Sequence, residues 1–216
     1  MKRMYLDIET IPADGSKLDT IKQFWEEARL KNGGATKKGE NDFETFYRNT
    51  SFQGEFGRIL CLAYAIDDGE TECLRGDEKS ILQQFWGIAK DVSVFIGHNI
   101  MDFDLRFIYK RSVILGVRPS RELSFARYRS EPIFDTMREW EKWGSTGVGL
   151  HRLSIALGLA SPKEQGIDGS KVYDYYLAGK VDDICLYCMR DVEATRKVYQ
   201  RMTFTSNVPV AEKNYF

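Results

Sequence analysis

Residues Ile59-Leu60-Cys61-Leu62-Ala63-Tyr64-Ala65-Ile66 form an unbroken apolar run of eight, bracketed by Arg58 and by Asp67-Asp68-Gly69. Such a run has strand length, and a strand without a polar face must be covered on both sides. Covering a sheet on both sides takes helices above and below it, so this stretch points to a layered α/β architecture. Asp67-Asp68-Gly69 reads as a tight turn, and residues 70–74 as the returning strand of a hairpin.

The flanking pattern agrees. Residues 2–9 read as a strand with Met4, Leu6 and Ile8 on one face. Residues 19–31 carry Ile21, Phe24, Trp25 and Ala28 at helical spacing, and Asn32-Gly33-Gly34 stops that helix. Residues 35–41 are polar and loop-like, and Phe43, Phe46 and Tyr47 suggest a further helical turn. After the hairpin come a helix at 78–90, a strand at 92–96 ended by Gly97, a helix at 103–115 capped by Gly116 and a short strand at 133–134. Helices follow at 137–143, 150–157, 172–177 and 181–202. The expected fold is a mixed five-stranded sheet flanked by helices, with a helical insert at about residues 12–56 between the first two strands. With 216 residues, 43% hydrophobic and 29% charged, the chain is expected to form one domain over 1–216.

Lys+Arg number 31 against 32 for Asp+Glu, so 31 − 32 gives a net charge of −1, which excludes a generally basic protein but not a local basic groove. No apolar stretch approaches the roughly 18 residues of a membrane span. Asp7 and Glu9 fall where a secretory signal needs an apolar stretch, so a cytoplasmic protein without membrane contact is expected. Cys61, Cys73, Cys185 and Cys188 are too few and too scattered for a disulfide scaffold. Cys185 and Cys188 make a lone CxxC in a helical stretch, and Cys61 and Cys73 lie on two predicted strands at a spacing unsuited to a zinc knuckle. All four read as reduced packing thiols.

Three acidic segments carry chemistry. Asp7 and Glu9 are two apart on the first strand, hence on one face and about 7 Å apart. Two such acids on a buried strand repel each other, and a divalent cation between them removes that cost. They would otherwise be a solvent-facing polar edge. Gly97-His98-Asn99-Ile100-Met101-Asp102-Phe103-Asp104 follows a strand and opens a helix, where an acid sits at the end of a sheet strand or simply caps the helix. Tyr187 and Asp191 share a face of the last helix at i and i+4, as an active pair or a surface pair.

Taken together, the three segments resemble the motifs of the DEDD superfamily of 3′–5′ exonucleases, tyrosine subclass, which have a ribonuclease H-like fold. Asp7-Ile8-Glu9 matches the first motif, Asn99 through Phe103-Asp104 the second, and Tyr187 with Asp191 the third. DIETIP, GHNIMDFDLRFI, IDGSKVYDYYLAG and YCMRDVEAT are similar to the predicted proofreading-type exonucleases related to the exonuclease domain of family B DNA polymerases. The likeness runs over nearly the whole chain and is weakest over 14–52.

The resemblance implies that Asp7, Glu9, Asp104 and Asp191 hold two divalent cations, Mg²⁺ or Mn²⁺, with Asp7 shared between them. Tyr187 would orient the attacking water, since an ordinary tyrosine is a poor base at neutral pH. Thr10 and Ile11 would meet the 3′ end, Asn99 and Phe103 the terminal nucleotide, Lys171 a phosphate, and His98 would be structural or substrate-adjacent. The implied substrate is a single-stranded or frayed DNA 3′ end. RNA is the rival substrate, and a non-catalytic nucleic-acid-binding module of the same fold a rival of another class. Between Leu105 and Ser130 the basic residues Arg106, Lys110, Arg111, Arg118, Arg121, Arg127 and Arg129 face the single acid Glu122, a local excess that suits phosphates or a solvated helix face.

Overall fold

The computed structural model describes residues 1–31, 42–161 and 167–205. Among these, five strands build one mixed sheet: β1 (Arg3–Ile11), β2 (Arg58–Ile66), β3 (Glu72–Arg75), β4 (Val94–Gly97) and β5 (Ile133–Asp135). Their order is β3-β2-β1-β4-β5. β1 and β2 pair antiparallel, as do β2 and β3, while β4 runs parallel to β1 and β5 parallel to β4. The eight described α-helices are α1 (Leu18–Lys31), α2 (Phe43–Asn49), α3 (Glu78–Ala89), α4 (Asp104–Leu115), α5 (Thr136–Trp140), α6 (Leu150–Ala156), α7 (Val172–Leu177) and α8 (Val181–Met202).

The apolar run becomes β2, with every residue from Ile59 to Ala65 buried. Its two faces enter different cores. Ile59, Leu62 and Tyr64 join Met4, Leu6 and Ile8 of β1 beneath α3 and α4, where Phe85, Trp86, Leu105 and Ile108 fill the layer. Cys61, Ala63 and Ala65 join Tyr5 and Ile11 beneath α7 and α8, with Ile184, Cys188 and Val192. Burying a strand on both faces is what forced helices onto both sides of the sheet. The α8 stripe Ile184–Cys188–Asp191–Thr195 recurs at three or four residues and is buried throughout.

Boundaries move in places. The returning strand is 72–75 rather than 70–74, and β4 begins two residues late, at Val94. α5 ends at Trp140 rather than 143, because Lys142 and Trp143 have φ of 48° and 65°, outside helical geometry. Gly116 closes α4 at φ 65°, donating its N–H to the Ser112 and Val113 carbonyls. The predicted stop at 32–34 and loop at 35–41 lie outside the described residues.

Between β1 and β2 the insert is tied to the sheet by the Thr10 hydroxyl, which donates to the Ser51 carbonyl, and is closed on itself just beyond the strand. The Ala13 N–H donates to Thr50 Oγ1 at 2.9 Å, and the Tyr47 hydroxyl donates to the Ala13 carbonyl at 2.8 Å. Only Ile21 of α1 is fully buried. No described helix is long and apolar enough to cross a membrane.

Candidate active site

β4 is short, and its pairing with β1 ends at Tyr5 and Ile96, while β1 runs on to Ile11. Past that point the β1 edge has backbone groups without a strand partner, and a crevice opens at the carboxyl ends of the parallel strands. The turn after β4 fills part of it and brings Asp104, the first residue of α4, against the edge. Asp104 Oδ1 accepts the Ile8 N–H at 3.0 Å, where a longer β4 would have continued the ladder. Its side chain therefore crosses to β1 and does not cap its own helix. Asp102 pairs with Arg138 instead.

Asp7 and Glu9 lie on the β1 face that α8 covers, opposite Met4, Leu6 and Ile8, as their spacing required. α8 lays Tyr187, Cys188 and Asp191 over them. The Cys188 thiol donates to the Asp7 carbonyl at 3.3 Å and to Asp7 Oδ2 at 3.4 Å. Four carboxylates from three distant segments thus meet: Glu9, Asp104 and Asp191 are buried, and Asp7 is half-buried.

Their proximity shows in their protonation. Burial pushes Asp7 well above the carboxylate range, and repulsion from Asp104, Asp191 and Glu9 adds to it. Glu9 is raised the same way, by burial and then by Asp191 and Asp104. Asp104 is pushed up to about 7 by burial, against its backbone hydrogen bonds, with Asp135 and Asp191 adding repulsion. Burial also drives the Tyr187 hydroxyl far above its ordinary value, reinforced by the Asp191, Glu9 and Asp7 carboxylates beside it.

The remaining predicted residues differ in what they do. Thr10 follows a register shift after Glu9, and its hydroxyl donates to the Ser51 carbonyl at 2.7 Å. Ile11 is buried. Asn99 sits at φ 62° in the turn before α4, a left-handed conformation that asparagine tolerates better than most residues. Phe103 lies between Phe107 and Phe52, with ring centroids 5.5 and 6.4 Å away. The ring nitrogens of His98 meet Thr136 Oγ1 at 2.9 Å and the Val148 carbonyl at 2.8 Å, so its polar atoms are engaged within the protein. Lys171 is exposed in the turn that leads into α7, next to Val172, which packs in the same layer as Ile11.

The basic stretch divides. Arg111 is buried and doubly bonded to Glu78 at 2.9 and 2.8 Å. Arg121 donates to the Val92 carbonyl, and Lys110 pairs with Glu55. Arg106 and Arg127, joined by Arg138, line a cavity of about 260 Å³ with Phe125, Tyr128 and Trp143. That cavity starts at Met101 and Asp102, two residues from Asp104. Within the basic stretch, Glu78, the Val92 carbonyl and Glu55 thus engage Arg111, Arg121 and Lys110, while Arg106 and Arg127 contribute to a basic and aromatic cavity.

Sequence reasoning missed two neighbours. Asp135, at the end of β5, is 1% exposed and accepts N–H bonds from Asn99, Met101, Met137 and Arg138 at 3.0–3.2 Å. It holds the turn that carries Asp104, and as a lone acid in an apolar strand it had no motif to mark it. Phe52, at the end of the insert, is 65% exposed beside Phe103, and no spacing rule singles out such an aromatic residue.

The fold is similar to the family B DNA polymerase from the hyperthermophilic archaeon Pyrobaculum calidifontis, at 19% identity and a TM-score of 0.64, over 94% of this chain and 24% of that one. The chain therefore spans about a quarter of that polymerase's length, and the likeness establishes the ribonuclease H-like fold. None of the curated proteins compared matches. A family described as predicted 3′–5′ exonucleases related to the exonuclease domain of PolB matches residues 63–215. That stretch contains Asp104, Tyr187 and Asp191 and begins after Asp7 and Glu9. By that match, the chain belongs to the family of predicted 3′–5′ exonucleases related to the PolB exonuclease domain.

Proposed function

We propose that the chain hydrolyses phosphodiester bonds at single-stranded DNA 3′ ends with two divalent cations, Mg²⁺ or Mn²⁺, held by Asp7, Glu9, Asp104 and Asp191. Tyr187 is the fifth member, which makes this a tyrosine-type DEDD enzyme. The observation that carries the reading is the meeting of these carboxylates, with Asp7, Glu9 and Asp104 pushed toward their protonated forms by burial and by repulsion that includes Asp191. Such a group gains most from cations, and oxygen donors alone suit hard ions rather than zinc. When bound, the cations would supply an activated water at neutral pH and charge relief on the phosphate.

The chain's own residues have distinct tasks. Asp7, which feels the charge of all three other acids, would be common to the two cations, with Glu9 and Asp191 helping to hold one and Asp104 the other. Tyr187 stays protonated at neutral pH, so its hydroxyl orients the attacking water and does not deprotonate it. Phe103 and Phe52 offer ring faces to a terminal base, and Thr10 and Ile11 mark where the 3′ end stops. Asn99 and His98 hold the turn that aims Phe103 and Asp104, and Lys171 meets a phosphate. The cavity of Arg106, Arg127 and Arg138 receives the incoming backbone.

The test is release of 3′-terminal nucleotides from matched DNA and RNA oligonucleotides with Mn²⁺. DNA should be shortened and RNA spared, and Asp7→Ala or Asp191→Ala should abolish the activity while leaving a folded protein. Retained activity in either variant would overturn the assignment. Degradation of RNA alone would overturn the DNA preference.

A further inference from the structure

The four cysteines converge on the α8 side of the sheet. Cys61 stands opposite Glu9 on β2, and Cys73 on β3 stands opposite Ala63. Ala63 is small, which lets α8 approach the sheet and bring Cys185 onto the other two. The Cys61, Cys73 and Cys185 sulfurs all lie within 4.8 Å of one another. Chain spacing predicted scattered thiols without a second ligand pair. Antiparallel pairing of β2 with β3 brings Cys61 and Cys73 together beside Cys185, and all four cysteines are free thiols.

We propose that Cys61, Cys73 and Cys185 form a thiolate site for one thiophilic divalent cation of the zinc class, separate from the carboxylate group. Sulfurs on one tetrahedral zinc stand about 3.8 Å apart, given bonds of about 2.3 Å. Small side-chain rotations bring this trio to that spacing. Cys61 and Cys185 are buried, and Cys73 is half-buried on the edge strand, which gives the ion a way in. The thiols already interact: hydrogen bonds from Cys61 and Cys73, with the Arg75 guanidinium, lower Cys185, and the same contacts raise Cys61 and Cys73. Three thiolates and a dication leave one negative charge, and Arg75 stands beside it. Such an ion would fasten the β2–β3 hairpin to α8, two residues before Tyr187. Cys188 takes no part, because its thiol is engaged by Asp7.

The site can be read without nuclease activity. The 216-residue chain, reduced and stripped of metal, is titrated with Co²⁺ in excess Mg²⁺ and then with Zn²⁺. We expect one Co²⁺ per chain, with thiolate charge-transfer and tetrahedral d–d bands that Zn²⁺ abolishes. Zn²⁺ should also protect Cys73, the half-buried thiol of the trio, from alkylation, as read by mass. Cys73→Ser and Cys185→Ser should each lose the bands, while Cys188→Ser and Asp7→Asn keep them. The half-buried position of Cys73 makes Cys73→Ser the variant least able to disturb folding, and circular dichroism checks it. Bands lost in Asp7→Asn but kept in Cys185→Ser would place the ion among the carboxylates and overturn the proposal. So would a Cys73 that stays reactive in Zn²⁺ without bands, or a protein isolated with two thiols joined as a disulfide.

Discussion

At the scale of single residues, function rests on protonation. Asp7, Glu9 and Asp104 bind their protons more tightly in the folded protein than in the unfolded chain. Their folded values lie above the unfolded ones, so the folded state holds extra protons between about pH 4 and the raised values, near 7 for Asp104. Stability of the metal-stripped protein should therefore be full at the acid end of that window and fall as pH rises through it. Thermal melts in chelator from pH 5 to pH 8 should show a declining Tm, and Mg²⁺ should restore it most above pH 7. A Tm that climbs with pH would contradict mutual repulsion among these acids. Tyr187→Phe removes only the hydroxyl, so it should slow hydrolysis by roughly 10²-fold, the low end for a positioned proton-handling group. Oligonucleotide affinity should be unchanged, and single-turnover rates beside binding isotherms separate the two effects. The Asp7–Glu9 pair and the Tyr187–Asp191 pair were legible in sequence because strand and helix periods put each on one face. The engagement of Asp104 by Ile8 was not, because it depends on where β4 ends.

At the scale of elements, the length of β4 sets the crevice. Gly97 ends it, and a Cβ there would lie 2.6 Å from the Ile100 Cβ, against a side chain with no exposure. Gly97→Ala should push the turn that holds Asp104, costing about 1–3 kcal/mol as an overpacked core position. Activity should fall further than stability alone accounts for, which urea denaturation and rate measurements at one temperature would separate. A variant with wild-type Tm and rate would show that the turn tolerates displacement. Strand and helix identities were readable from apolar periodicity throughout. Their ends were less so, since Lys142 and Trp143 leave α5 through positive φ, which composition does not announce.

At the scale of the whole molecule, a net charge of −1 hides a local cationic cavity. Arg127 is exposed on its wall, so Arg127→Ala should weaken single-stranded DNA binding and reduce the slope of log K against log salt by about one. Arg129→Ala, outside the cavity lining, should change the slope less, and equal effects of the two would refute a directed path. Charge counting along the sequence could not separate Arg106 and Arg127 from Arg111 and Arg121, because only the fold brings Glu78 and the Val92 carbonyl to the latter two. The cysteines teach the same lesson, since partners from β2, β3 and α8 meet only once the sheet has paired.

The division of β1 into two unlike faces has an effect on how the chain assembles. Sliding this strand by one residue against its neighbours would turn Asp7 and Glu9 toward Phe85 and Trp86 and leave Leu6 and Ile8 under α8. Mispaired intermediates would thus carry charge into an oily layer and be rejected, so the carboxylates also proofread the alignment of the strand that bears them.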